Sequence, residues 1–322
     1  MFMRLTSAVA LLSLTTIACA GRTVVVTPQG RITPAQLAEL RVDPGRRPRD
    51  LYWGVGGRQY APPAKATYKF EAKDETGFSV SYDVASPNGV GWSAKIGPEA
   101  QTEVVVSRIL WGLGYHQPPV YYLPSWQVAG EGIEPKKESE ARFRPKLTRL
   151  DRQKDVWSWA ENPFSGTPEL KGLLVIMLML NSTDLKDDNN SIYQTAATWD
   201  GAKRWFVVRD IGAALGETGI IEPRRNWLLG FEKQSFLTNV AGGTVEFDYD
   251  GRHQELLKMI TPADVQWAGR QMARLTDAQW RDAFRAGNYG AADSARFIKR
   301  IKEKISDARA LRVDRRETAG TR

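Results

Sequence analysis

The sequence has a single cysteine, Cys19, among 322 residues, and only two histidines, His116 and His253. One cysteine close to the N-terminus leaves the body of the protein without a disulfide, a thiolate metal site or a cysteine nucleophile. Two histidines far apart in the chain speak against a histidine metal site and against a Ser-His-Asp triad. Past residue 20 no apolar run is long enough to cross a bilayer; "GLLVIMLML" at 172–180 is apolar all round but short, as a buried core helix is. Internal repeats are also lacking. What remains is ordinary globular material, 42% hydrophobic and 25% charged, in a chain long enough for one large domain or two lobes. The net charge of +8 favours anionic partners such as nucleotides, acidic substrates or a phospholipid surface. Lys and Arg gather in "GRRPRD" and in the C-terminal tail rather than in one stripe, so no nucleic-acid partner is expected.

The N-terminus carries Arg4, an apolar and hydroxyl run from Leu5 to Ile17, and then "ACA". Charge, core length and small-residue exit are those of a secretory signal over residues 1–20. "TIAC" resembles a bacterial lipobox, which implies lipidation of Cys19 and a membrane-anchored protein of the bacterial cell envelope. The competing reading is plain cleavage after Ala20, which discards Cys19. Residues 21–50 lack apolar periodicity and end in Pro, Gly and Arg, as a flexible tether does.

The fold class expected for the body is α+β, with a β-rich lobe over 51–126 and a mainly helical lobe over 127–310, followed by a basic tail, 311–322. "ATYKFEAK", "FSVSYDV" and "VGWSAKI" read as three strands, the last two joined by the hairpin signal "SPNG". "PEAQTEVVVSRILWGLGY" reads as a helix, with Pro98 in its first turn and Gly112 and Gly114 at its end. Its apolar positions Val106, Ile109, Leu110 and Leu113 share a face with Glu103, and with Glu99 one turn earlier. A carboxylate aimed at a core needs a cation, and Lys95 at the end of the preceding strand is the nearest in sequence. "PPVYYLPSW" reads as one or two strands and 127–160 as a charged connection. "TPELKGLLVIMLMLN" reads as a helix and "RWFVVRDIGAALGE" as a strand entering a Gly-rich turn. "TPADVQWAGRQMARL", "TDAQWRDAFRAG" with its Thr276–Gln279 capping box, and a segment around Ser294–Ala308 read as the closing helices.

"LMLNSTDLKDDNNSIY" at 178–193 places acids and amides directly after an apolar run. Such groups are set against a core when something binds them; a solvated turn after a helix is the other reading. "TDLKDDN" resembles the catalytic loop of protein kinases, and "RDIGAALG" resembles their metal-binding Asp-Phe-Gly segment, with Ile211 in place of Phe. "AKIGPEAQTEVVVSRILWGLGY" is similar to the Lys-strand and Glu-helix of atypical kinases, among them HipA-like and CotH-like kinases. The resemblance spans about residues 66–215.

It implies a two-lobed kinase-like fold and an ATP-using, Mg²⁺-dependent phosphotransferase (Mn²⁺ being possible) acting on a protein or small-molecule hydroxyl. Asp184 would orient the attacking hydroxyl and Lys186 would balance the transferred phosphoryl group. Asn189 and Asp210 would hold the metal. Lys95 would grip the phosphates and Glu103 would fix Lys95, with Glu99 as the alternative partner. One departure is the turn "KDETGF", where the family has glycines and this chain has Asp74 and Glu75, acids that would repel a triphosphate. "WGVGGRQY" at 53–60 is read as a flexible loop, the alternative being a cover for the site with Arg58 on a phosphate. A catalytically silent scaffold and an AMP transferase on the same fold remain the other functional readings.

Overall fold

The computed structural model describes residues 31–75, 79–219 and 224–312, and within them the chain is α+β. Alternation builds the first part. Strands β1 (Thr67–Asp74), β2 (Ser81–Ala85) and β3 (Gly91–Ile96) pair antiparallel in sequence, and Gly89 supplies the left-handed residue (φ 81°) of the β2–β3 turn. Side chains one residue apart on a strand face opposite ways. Tyr82, Val84, Trp92 and Ala94 therefore enter an aromatic-rich core with Tyr68, Trp126 and Phe143. Their neighbours Ser81, Asp83, Ser93 and Lys95 line a cleft on the other face.

Helix α2 (Glu99–Gly112) follows β3 and is buried on almost every side, rather than along the single stripe expected. It underlies β7 and touches α7, joining the sheet to the helical core. The region expected to be a connection is instead sheet. β4 (Tyr121–Leu123) and β5 (Trp126–Gly130) are followed by β6 (Ile133–Glu138) and β7 (Ala141–Pro145), and the seven strands lie in the order β4-β7-β3-β2-β1-β5-β6. The sheet thus continues past the boundary expected at residue 126. In "ARFRP" Phe143 points to the core while Arg142 and Arg144 face the cleft, so half of its alternation is charged.

A second sheet, β10-β9-β8, holds β8 (Leu150–Arg152), β9 (Asn190–Trp199) and β10 (Ala202–Val208). Between β8 and β9 runs α3 (Pro168–Met179), capped by Thr167 and buried from Leu170 onward, as an all-apolar helix must be. The remainder is α4 (Leu228–Lys233), the hairpin β11 (Leu237–Ala241) and β12 (Thr244–Phe247), α5 (Gln254–Leu257), α6 (Pro262–Met272), α7 (Asp277–Ala286) and α8 (Ala291–Ala310). Both expected capping boxes are present, at Thr261–Asp264 and Thr276–Gln279. Among the described residues no helix is long and apolar enough to cross a membrane.

The expected tether over 21–50 is corrected for its described part. α1 (Pro34–Leu37) leads into Leu40 and Arg41, both buried; Arg41 Nε donates to Leu113 O, and Arg49 pairs with Asp200 at 3.0 Å. Tertiary contacts hold a segment that has no periodicity of its own. Residues 21–30 and 313–322, the latter most of the expected tail, lie outside the described residues.

Candidate functional site

Lys95 is the hinge of the cleft. Its Nζ lies 2.7 Å from Glu99 Oε2 and 2.5 Å from Asp210 Oδ1. Burial opposes its charge, but the carboxylates of Glu103, Asp210 and Glu99 outweigh that and hold its pKa above the ordinary lysine value. Glu99 also pairs with Arg225.

The strand-to-helix pairing is therefore present with the alternative glutamate; Glu103 is not the partner. Gly97 (φ 127°) turns the chain so that the first turn of α2 meets the end of β3. One turn deeper, Glu103 sits under β7 and binds Arg142 at 2.9 Å and Arg144 at 2.6 Å. Burial raises its pKa, but Arg142, Arg144 and Lys95 pull harder and bring it to about 2. Glu103 is the counterion of two arginines, which makes it a structural acid as much as a site residue.

The opposite wall is the loop that follows α3. The helix ends at Met179, and Asn181 takes a left-handed backbone (φ 52°). Its side-chain amide donates to Gly216 O at 2.7 Å, and Thr183 N donates to Ala213 O at 3.0 Å. These bonds tie the loop to the segment after β10. Leu185 goes into the core while Asp184 and Lys186, on either side of it, line the cleft 3.0 Å apart. Asp187 accepts from Trp159 N at 3.0 Å, a structural use. Asn189 Nδ2 donates to Asp184 O at 2.8 Å, which leaves the Asn189 amide oxygen for a cation.

Asp210 closes the ring. Arg209 N donates to Asn189 O at 3.1 Å, which brings the two segments together. Asp210 itself has φ 54°, a conformation that costs a non-glycine residue free energy and that clusters at functional sites. Gly212 lies against Glu99: a Cβ there would stand 2.5 Å from Glu99 Cβ. All six residues expected in the body line this cavity of about 530 Å³: Lys95, Asp184, Lys186, Asn189 and Asp210 directly, and Glu103 from its pair of arginines. Cys19 lies outside the described residues.

The donor set suits a metal that arrives with phosphates. Among the described residues no group of three or more His, Cys, Asp or Glu is arranged to hold an ion. Mg²⁺ commonly takes one or two protein oxygens and completes its shell with phosphate and water, and the Asp210 carboxylate with the Asn189 amide oxygen would provide that number.

Two expectations about coverage are settled differently. "WGVGGRQY" does not reach the cleft; Tyr121 donates to Gly57 O at 2.7 Å, and Arg58 stacks over Trp53. Gly54 is required there, because a Cβ would meet the Arg108 guanidinium at 2.1 Å. The acidic turn is described only in part: Asp74 lines the cavity, Glu75 pairs with Lys73, and residues 76–78 lie outside the described residues.

Glu99, Arg142, Arg144, Arg152, Arg209 and Arg225 also line the cavity. Of these only Glu99 was an expected alternative; the period-2 pair in "ARFRP" was the signal for Arg142 and Arg144. No protein-family model matches the chain, and none of the curated proteins is significantly similar to it.

Proposed function

We propose that this cleft is the active site of a kinase-like, Mg²⁺-dependent phosphotransferase that moves the terminal phosphoryl group of ATP to a protein or small-molecule hydroxyl. The observation that carries the reading is the double engagement of Lys95, with Glu99 and with Asp210, across a cavity from Asp184, Lys186 and Asn189. Phosphoryl transfer needs positioning and charge neutralisation more than covalent help, and this set offers both.

Asp184 orients the acceptor hydroxyl and takes its proton as the new oxygen–phosphorus bond forms and the bridging bond to ADP breaks. Lys186, 3.0 Å from Asp184, balances charge on the transferred group. Lys95 holds the non-transferred phosphates, and Glu99 keeps it aimed. A bound Mg²⁺ would be held by Asp210 and Asn189 and would neutralise charge on the phosphates. Because Lys95 already contacts Asp210, a metal ion has to share that carboxylate with it or displace it.

A catalytically silent binding module is favoured by that same contact, since Lys95 neutralises Asp210 without a metal. An AMP transferase would use the same residues. In either case we read residues 1–20 as an export signal and Cys19 as a lipid attachment point in a bacterial envelope. The test is thermal unfolding of the purified protein with ATP and Mg²⁺, with ATP and Mn²⁺, and with neither, followed by mass spectrometry of the protein and candidate acceptors. A metal-dependent rise of the midpoint and a phosphate adduct are expected. An AMP adduct selects the transferase of AMP, and binding without any adduct selects the silent module. No nucleotide-dependent shift overturns both transferase readings and leaves the silent scaffold.

A further inference from the structure

Arg209 is a cleft cation that feels the Glu103 carboxylate only from beyond ion-pair distance. Among the described residues no carboxylate lies within ion-pair distance of it, and its Nε is buried without a hydrogen-bond partner. Arg142, Arg144 and Arg152 line the cleft with it, and the one acid among its neighbours there, Glu103, is already ion-paired with Arg142 and Arg144. Arg142 and Arg144 in turn share one carboxylate, that of Glu103. Like charges gathered in a part-buried cleft repel one another and cost stability, unless an anion joins them.

We propose that Arg144, Arg152 and Arg209 form an oxyanion subsite that binds a phosphate group beside the Lys95–Asp210 centre. Both elements that build the centre also build the subsite. Arg209 precedes Asp210 in the chain, and Arg144 pairs in register with Ser93, two residues from Lys95 on the same face of β3. Planar guanidinium forks match the oxygens of a phosphate and can donate to it in pairs. Ala72 is the sole apolar residue among the described lining residues, so this wall is suited to an anion and not to a flat base.

The inference rests on the phosphotransferase reading only for which phosphate is bound, one in the donor's chain or one carried by the acceptor. The probe is inorganic pyrophosphate, added without nucleotide or divalent cation, with thermal unfolding as the readout. For the wild type the midpoint should rise with pyrophosphate. Arg209→Gln should raise the midpoint of the ligand-free protein, by relieving repulsion, and yet abolish most of the pyrophosphate shift. A merely structural arginine would do the reverse. Arg152→Gln, at an exposed position where folding is safe, should weaken pyrophosphate binding about tenfold, the loss expected for one charge-assisted contact. Lys95→Ala should lose no more of the shift than Arg209→Gln does.

The subsite is overturned if the wild type shows no shift, if Arg209→Gln and Arg152→Gln shift as the wild type does, or if only Lys95→Ala loses the response. Competition between ATP–Mg²⁺ and pyrophosphate assigns the subsite to the donor's chain, and additive shifts assign it to a phosphorylated acceptor. A protein that transfers nothing but needs Arg209 for pyrophosphate keeps the subsite and loses the phosphotransferase. One that transfers phosphate while Arg209→Gln binds pyrophosphate normally does the opposite.

Discussion

The ammonium of Lys304, on α8, donates to Asn181 Oδ1 at 2.6 Å and to Met179 O at 3.2 Å, and is fully buried where α3 ends. It also lies over the Phe231 ring. Asn181 opens the loop that carries Asp184, so a residue 123 positions away in sequence fixes where that loop begins. A cation at a helix C-terminus also meets the negative end of the helix dipole.

This lysine should make stability depend on pH. Burial, and then Arg300, lower its pKa to about 7, against the opposing pull of Asp248. In the unfolded chain it titrates near the ordinary lysine value, so between about pH 7 and 10 the unfolded state binds more protons and stability rises with pH. Below pH 7 the cost of the buried charge is present in full. The unfolding midpoint of the wild type relative to Lys304→Met should therefore climb from pH 6 to pH 9, by a difference worth on the order of a few kcal/mol. A difference that stays flat across that range would show that Lys304 does not titrate there.

Glu99 and Glu103 should part company. Glu103→Gln leaves Arg142 and Arg144 buried beside a neutral group, and removing one partner of such a cluster costs about 3–5 kcal/mol. It should also flatten acid unfolding. With a folded pKa of about 2, Glu103 stabilises the protein above its ordinary carboxylate value and loses that contribution as pH falls toward 2. Glu99→Gln should cost less stability and weaken ATP binding more, because it frees Lys95. Denaturant titration paired with nucleotide binding separates the two; equal stability losses would contradict the division.

Asp184 and Asp210 should fail in different ways. Asp210→Ala removes the oxygen proposed for the metal and should abolish the Mg²⁺-dependent part of ATP binding. Asp184→Asn should leave that binding nearly intact and slow transfer by about 10²- to 10⁴-fold, as loss of a general base does. Wild-type transfer rates in Asp184→Asn would refute the mechanism.

If Cys19 carries the proposed lipid, the wild type should require detergent and Cys19→Ser should be soluble or unprocessed, since two or more acyl chains anchor stably and none does not. Fractionation of cells and mass spectrometry of the mature N-terminus check it. Wild-type protein that is free in solution and begins at Gly21 would exclude the anchor.

Much of this arrangement is legible in the sequence. The strands around "SPNG", the capped helices and the acidic loop after α3 all carry local signals strong enough to survive in the fold. The choice between Glu99 and Glu103 was not legible. They lie four residues apart on one helix face, and only the arginines of β7, distant in sequence, decide which glutamate meets Lys95. β7 itself was hidden because its charged half faces a cleft rather than solvent. The order of the 31–50 segment is hidden for a related reason: Leu40 and Arg41 are buried by partners such as Leu113, which a local pattern does not contain.

The contact between Gly212 and Glu99 has a mechanical consequence. With less than a methyl group of clearance, the turn bearing Asp210 and the first turn of α2 behave as meshed teeth. A lift of the helix would carry the turn with it, and a retraction of the turn would draw Glu99 from Lys95. On the proposed reading, the lysine that would grip phosphate and the carboxylate that would hold the metal are thus set by one packing contact, and a tilt of α2 would move both at once.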